Sequence, residues 1–299
     1  MRLSNQPSLK ILIASLICFA FACSDSKSPR SSSSPKPTFN NGTSQNTTTP
    51  LSTSSPLNTG SVTSGNATLN SSNNTSTLSP TVRPKILVVG WGPTSCQPFI
   101  DWMVEDGFPK EHAYLFKYSY TKDLETVKQE LSTQFNEVFA KYAPNVKFDV
   151  IGLSTGHFVG LYTMMETNID ARVERFIGGM GIAHGINSIG ADYHFPNIIY
   201  SYDDPAYASV VGETIAAISP HMNPFLTSFY QKYDARIRTL KKCSVFSPQD
   251  SLVSPYDTGK FDDGENFSIP NLRHITSLND KDGVYGQVFK NCYKSSWTN

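Results

Sequence analysis

The chain has 299 residues, enough for one or two domains, and its 25 basic residues are balanced by 25 acidic ones. Without a basic field it is not built to hold nucleic acid. His112, His194 and His221 show no metal-ligand spacing with cysteine, aspartate or glutamate, and no glycine-rich phosphate loop occurs, so neither a metal nor another cofactor is expected.

The first element is an export signal. Arg2 and Lys10 precede an apolar run over 11–22 that is shorter than the roughly 20 residues a bilayer span requires, and the run ends in Ala20-Phe21-Ala22-Cys23. Residues 1–22 read as a signal peptide. Ala20-x-Ala22 suits ordinary cleavage, which would leave a secreted protein. A small residue before Cys23, with a polar stretch after it, is similar to a bacterial lipobox, although Phe21 stands where that motif has a small residue. Lipidation of Cys23 is the expected outcome, placing the protein on an outer membrane or cell surface. The stretch 23–83 is dominated by Ser, Thr, Asn, Pro and Gly and cannot bury enough apolar surface to order itself. As a tether of about 60 residues it would reach roughly 40 Å.

The folded domain is expected over 84–299. An apolar strand over 85–89 is closed by Gly90, 99–105 has room for two helical turns, and 113–118 is a second strand. Across 123–142, Leu124, Val127, Leu131, Phe135, Val138, Phe139 and Tyr142 recur at spacings of three and four, which predicts a long helix with one buried face. A strand over 148–153, a helix over 156–166 and a strand over 173–177 follow, and 242–246 and 266–269 read as later strands before a terminal helix over 282–290. Such alternation predicts a mainly parallel sheet with helices on both faces, its reactive groups outside the carboxyl ends of the strands.

One of those ends carries Gly152-Leu153-Ser154-Thr155-Gly156 between a strand and a helix. That is the pattern of a nucleophile elbow, in which Gly152 and Gly156 let backbone pass close to a serine held on a sharp turn. The serine needs a base and the base an acid. His274 lies between the last strand and the terminal helix, and Asp250 follows the strand 242–246. Asp262, Asp263 and Glu265 lie in the same interval and read as a solvated charged loop. Of the other histidines, His157, one turn into the helix beside the elbow, reads as a packing or hydrogen-bonding residue.

Taken together, "ILVVGWG", "GFPKEHAYLFKYSY", the elbow, "GMGIAHG", "SPQDSLVSP" and "LRHITSLNDKDGVY" resemble the lipase and esterase branch of the α/β-hydrolase fold, close to bacterial triacylglycerol lipases and class 2 lipases. The resemblance implies a carboxylic ester hydrolase with Ser154 as nucleophile, Asp250 as acid and His274 as base. It also implies an oxyanion hole of the backbone N–H groups of Trp91 and Thr155, a His184 that shapes a pocket, no cofactor, and a small-molecule ester or lipid as substrate. The chain departs from the family at Val89-Gly90-Trp91-Gly92, where a histidine usually precedes the glycine, and at Leu153-Ser154-Thr155-Gly156, where His-Ser-Met-Gly is usual. An acyltransferase or amidase would share the same triad, and a catalytically silent surface lipoprotein could use the same scaffold to bind a ligand.

Two features stay open in the sequence. The aromatic-rich stretch 187–233 suits either a cap or lid over the site or ordinary helices at the sheet edge. Cys96, Cys243 and Cys292 allow either one disulfide with one free thiol or three buried thiols.

Overall fold

A computed structural model describes residues 78, 80–90, 97–119, 121–189, 200–201, 203 and 211–293. The expected signal peptide, tether and Cys23, together with Trp91, Cys96 and His194, lie outside the described residues. The elements in chain order begin with β1 (Lys85–Val88), α1 (Gln97–Glu105), β2 (Ala113–Phe116), α2 (Leu124–Phe139), β3 (Phe148–Leu153), α3 (Thr155–Glu166) and β4 (Val173–Gly179). Then come β5 (Ser188–Ile189), β6 (Tyr200–Ser201), α4 (Glu213–Ala217), α5 (Pro224–Thr239), β7 (Lys241–Phe246), β8 (Val253–Ser254), β9 (Glu265–Ser268) and α6 (His274–Leu278). The helical stretches Lys281–Tyr285, Gly286–Val288 and Phe289–Tyr293 run on one another to the end of the described chain.

Among the described residues, six strands form one parallel sheet in the order β2-β1-β3-β4-β7-β9. Successive residues of a strand face opposite sides, so each central strand must feed two cores. Ile86, Val88, Val150 and Phe176 pack with α2, α3 and α5, whereas Leu87, Ile151, Leu153, Ile177 and Val245 pack with α1 and the C-terminal stretches. The result is a sheet covered by helices on both faces, as the alternation of elements predicts.

Local chemistry sets the helix starts. Asp123 caps α2 by accepting from Thr126 N–H at 2.9 Å, and Asn223 caps α5 by accepting from Leu226 N–H at 2.8 Å with Pro224 in the first turn. The helix expected over 123–142 therefore begins after its cap, and it ends at Phe139. Within 187–233, α5 leans Phe225 and Phe229 on Phe158 and Tyr162 of α3, while 190–199 and 204–210 lie outside the described residues. The terminal helix expected over 282–290 differs more: Gly283 leaves helical geometry with ψ −129, and a Cβ there would overlap Ser277 O. A disulfide joins Cys243 on β7 to Cys292, fastening the chain end to the sheet.

Two small features complete the scaffold. β5 pairs antiparallel with β6 and with β8, in the register Ile189↔Val253 and Ser188↔Ser254, a ladder too short for any sequence period to show. At the amino end of the sheet, Lys85 Nζ donates to Asp149 Oδ2 at 2.7 Å with both side chains buried, and Arg83 reaches the other carboxylate oxygen at 3.2 Å. Burial pushes the Lys85 ammonium below its ordinary pKa, against the pull of Asp149.

Candidate active site

At the carboxyl end of β3 the chain turns from Leu153 into α3 through Ser154, whose φ of 53° and ψ of −127° lie where side chains rarely go. The flanking glycines are required by contact. A Cβ on Gly152 would stand 2.5 Å from His157 Cα, and one on Gly156 would overlap Val88 O. Gly90, after β1, lies directly over the serine, since a Cβ there would come 2.5 Å from Ser154 Cβ and 2.9 Å from its Oγ. The hydroxyl is thus held at the end of the sheet with backbone on several sides.

His274 opens α6, and its Nε2 lies 2.9 Å from Ser154 Oγ. Its Nδ1 lies 2.8 Å from Asp250 Oδ2, and all three side chains are buried or nearly so. A carboxylate can only accept, so Nδ1 carries the proton and Nε2 is left as an acceptor for the serine O–H. Asp250 is in turn held by backbone: its other oxygen accepts from Leu252 N–H at 3.0 Å and Val253 N–H at 3.3 Å, and Val253 belongs to the β5-β8 ladder. This geometry can remove a proton from the serine, store it on the imidazole and stabilise the resulting positive charge.

The other charged candidates lie elsewhere. Asp263 pairs with Lys242 at 3.1 Å, and Asp262 and Glu265 are exposed. Thr155, the first residue of α3, is buried beside the serine, and Trp91 lies outside the described residues. Of the remaining histidines, His184 is fixed by Nδ1 to Thr258 O at 3.0 Å, and His112 by Nδ1 to Tyr142 O–H at 2.8 Å. Burial pushes the His184 and His221 imidazoles below their usual pKa. His157 is wholly buried with no hydrogen-bond partner on either ring nitrogen among the described residues, and burial, helped by the nearby His184, pushes its pKa down to about 3. Packing is therefore the part of its two-way expectation that the structure contains. Among the described residues no group of three His, Cys, Asp or Glu side chains is arranged to hold a metal ion.

Gln249 was not legible as a site residue. Its Oε1 accepts from Asn271 N–H at 3.0 Å and faces Ser247 Oγ at 3.3 Å, tying the loop of Asp250 to the loop of His274. Nothing local in "SPQDS" says which distant loop the amide will meet.

No protein-family model and no curated protein sequence matches the chain. Solved structures are similar in fold. The mature form of Bacillus licheniformis lipase BlEst2 matches with TM-score 0.53 at 14% identity, over 74% of this chain and 94% of that one. Carboxyl esterase 2 of the mycorrhizal fungus Tuber melanosporum matches with TM-score 0.51 at 12% identity, over 73% of this chain and 79% of that one. Sheet order, helices on both faces and these likenesses together give the chain the α/β-hydrolase fold.

Proposed function

We propose that the protein is an exported serine hydrolase that cleaves carboxylic esters, acylglycerols or other acyl esters, and is anchored to a membrane by lipidation of Cys23. The observation that carries the chemistry is the pair of contacts from His274, 2.9 Å to Ser154 Oγ and 2.8 Å to Asp250 Oδ2, at a strained strand-to-helix turn. Ser154 Oγ attacks the ester carbonyl as Nε2 takes its proton, and Asp250 holds the imidazolium. The oxyanion is held by the N–H groups of Thr155 and Trp91. The imidazolium then protonates the departing alkoxide, leaving an acyl group on Ser154. Water gives a proton to His274 and attacks that acyl group; the bond to Ser154 Oγ then breaks, His274 returns the proton to Oγ, and the acid is released.

Support for esters as the substrate class comes from the lipase and esterase named above. The test is a panel of esters of increasing acyl length together with an active-site serine probe. Ser154→Ala should fold, fail to take the probe and lose on the order of 10⁴- to 10⁶-fold in turnover. Full turnover in that variant overturns the reading, and transfer of the acyl group to an added alcohol or amine in preference to water would redefine the reaction as acyl transfer.

A further inference from the structure

A positive φ at Ser154 has to be held from outside its own element. Both backbone polar groups of Ser154 reach the end of β4 and the turn it enters: its N–H donates to Gly179 O at 3.1 Å, and its carbonyl accepts from Ile182 N–H at 3.3 Å as well as from His157 N–H at 3.1 Å. That turn is itself strained, with Met180 at φ 47° and its N–H donating to Val245 O at 2.8 Å. Turn 179–182 is a clamp on the serine backbone.

The ring of His157 fills the space against this clamp. A Cβ on Gly181 would overlap His157 Nδ1, and one on Gly178 would overlap Cε1, so the turn and the ring are already at contact distance. Phe176 and Phe261 close other sides, with ring centroids 5.4 and 4.8 Å away. With neither nitrogen hydrogen-bonded among the described residues, this imidazole costs stability that an apolar side chain would not. Among the described residues it has no partner to pass a proton to, and what it supplies is volume.

We propose that His157 is a positioning residue for Ser154: its ring is a wedge that keeps the turn 179–182 at the spacing at which it clamps the serine backbone. The proposal rests on the reading of Ser154 as nucleophile, and its test separates the two. Amide hydrogen exchange at Ser154 and Ile182 reports the clamp, and kcat with KM on an ester reports the serine. In His157→Ala both amides should exchange faster, and kcat should fall about tenfold to a hundredfold with KM nearly unchanged, the scale that a misplacement of about 1 Å costs.

His157→Leu, of similar size, should keep both readouts within about threefold of wild type, since volume-conserving swaps are the ones cores tolerate. Gly181→Ala should repeat the defect, and the pair Gly181→Ala with His157→Ala should recover part of it. If Gly181→Ala does not fold, the comparison of Ala with Leu at position 157 decides alone. Wild-type exchange and kcat in His157→Ala, or faster exchange with unchanged kcat, overturns the proposal. If wild type hydrolyses no ester, the exchange data still decide whether His157 holds the clamp, and it is the assignment of function that has failed.

Discussion

At the residue scale, the choice of acid is a matter of which carboxylate the fold aims inward. Asp250 is buried, takes two backbone N–H donors on one oxygen and His274 on the other, while Asp263 is spent on Lys242. Asp250→Asn would present an amide able to donate to Nδ1, favouring the wrong tautomer for a base at Nε2, and should cut turnover on the order of 10⁴-fold. Asp262→Asn and Asp263→Asn should stay near wild type in the same ester assay; a crippled Asp263 variant would reassign the acid. His157 allows a pH test. Above about pH 6.5 the ring is neutral in both folded and unfolded chains, and below it the unfolded chain binds a proton that the folded one refuses until about pH 3. Stability should therefore fall as the pH drops through this window, by about 1.4 kcal/mol per pH unit from this group. His157→Leu should flatten the denaturant midpoint against pH between roughly pH 6 and pH 4, and an unchanged slope would mean that the wild-type ring protonates in place.

At the scale of elements, the strands and helices whose side chains repeat over several turns were legible, because one buried face is a local property of a sequence. α2 shows this: six of its residues, Leu124 through Phe139, are buried at the spacings read from the chain. β5, β6 and β8 were not legible, since two residues carry no period, yet they steady the loop that bears Asp250. The C-terminal stretches depend on another distant tie. Val284 and Val288 pack under the central strands, and the Cys243–Cys292 bridge closes a loop with a sequence separation of 49. Replacing both cysteines by serine should cost about 2–4 kcal/mol, since the unfolded chain regains the freedom of that loop. The corresponding drop in Tm is roughly 4–16 °C, measurable by calorimetry. Ester turnover well below the new Tm should persist, and an unchanged Tm would mean that the bridge adds nothing to the packing around it.

At the scale of the whole molecule, the position of the N-terminal side matters. Leu78 bridges to Tyr142, just beyond the end of α2, and β3 starts at Phe148 on that same side. Ser154 sits past the opposite end of β3, about 20 Å away at some 3.3 Å per residue. Leu78 thus lies at the end of the sheet away from the serine. Cys23→Ser should then convert a membrane-bound, lipid-labelled protein into a soluble one with the same kcat/KM on a soluble ester, measured after fractionation of the native host. Absence of lipid label on the wild-type protein would leave ordinary signal cleavage and secretion as the localisation.

The amino-acid sequence by itself determined the order of strands and helices in the sheet core and the serine between Gly152 and Gly156, because hydrophobic period and steric permission at a turn are written in neighbouring residues. The sequence also singled out Asp250 and His274 by their places after late strands; tertiary structure alone decided that Gln249 ties their two loops, that Cys243 pairs with Cys292, and that His157 packs with no hydrogen-bond partner among the described residues. Two of those outcomes join segments far apart in the chain, Gln249 to Asn271 across 22 residues and Cys243 to Cys292 across 49. Such meetings follow from how the sheet and its covering helices stack, and no local pattern encodes them.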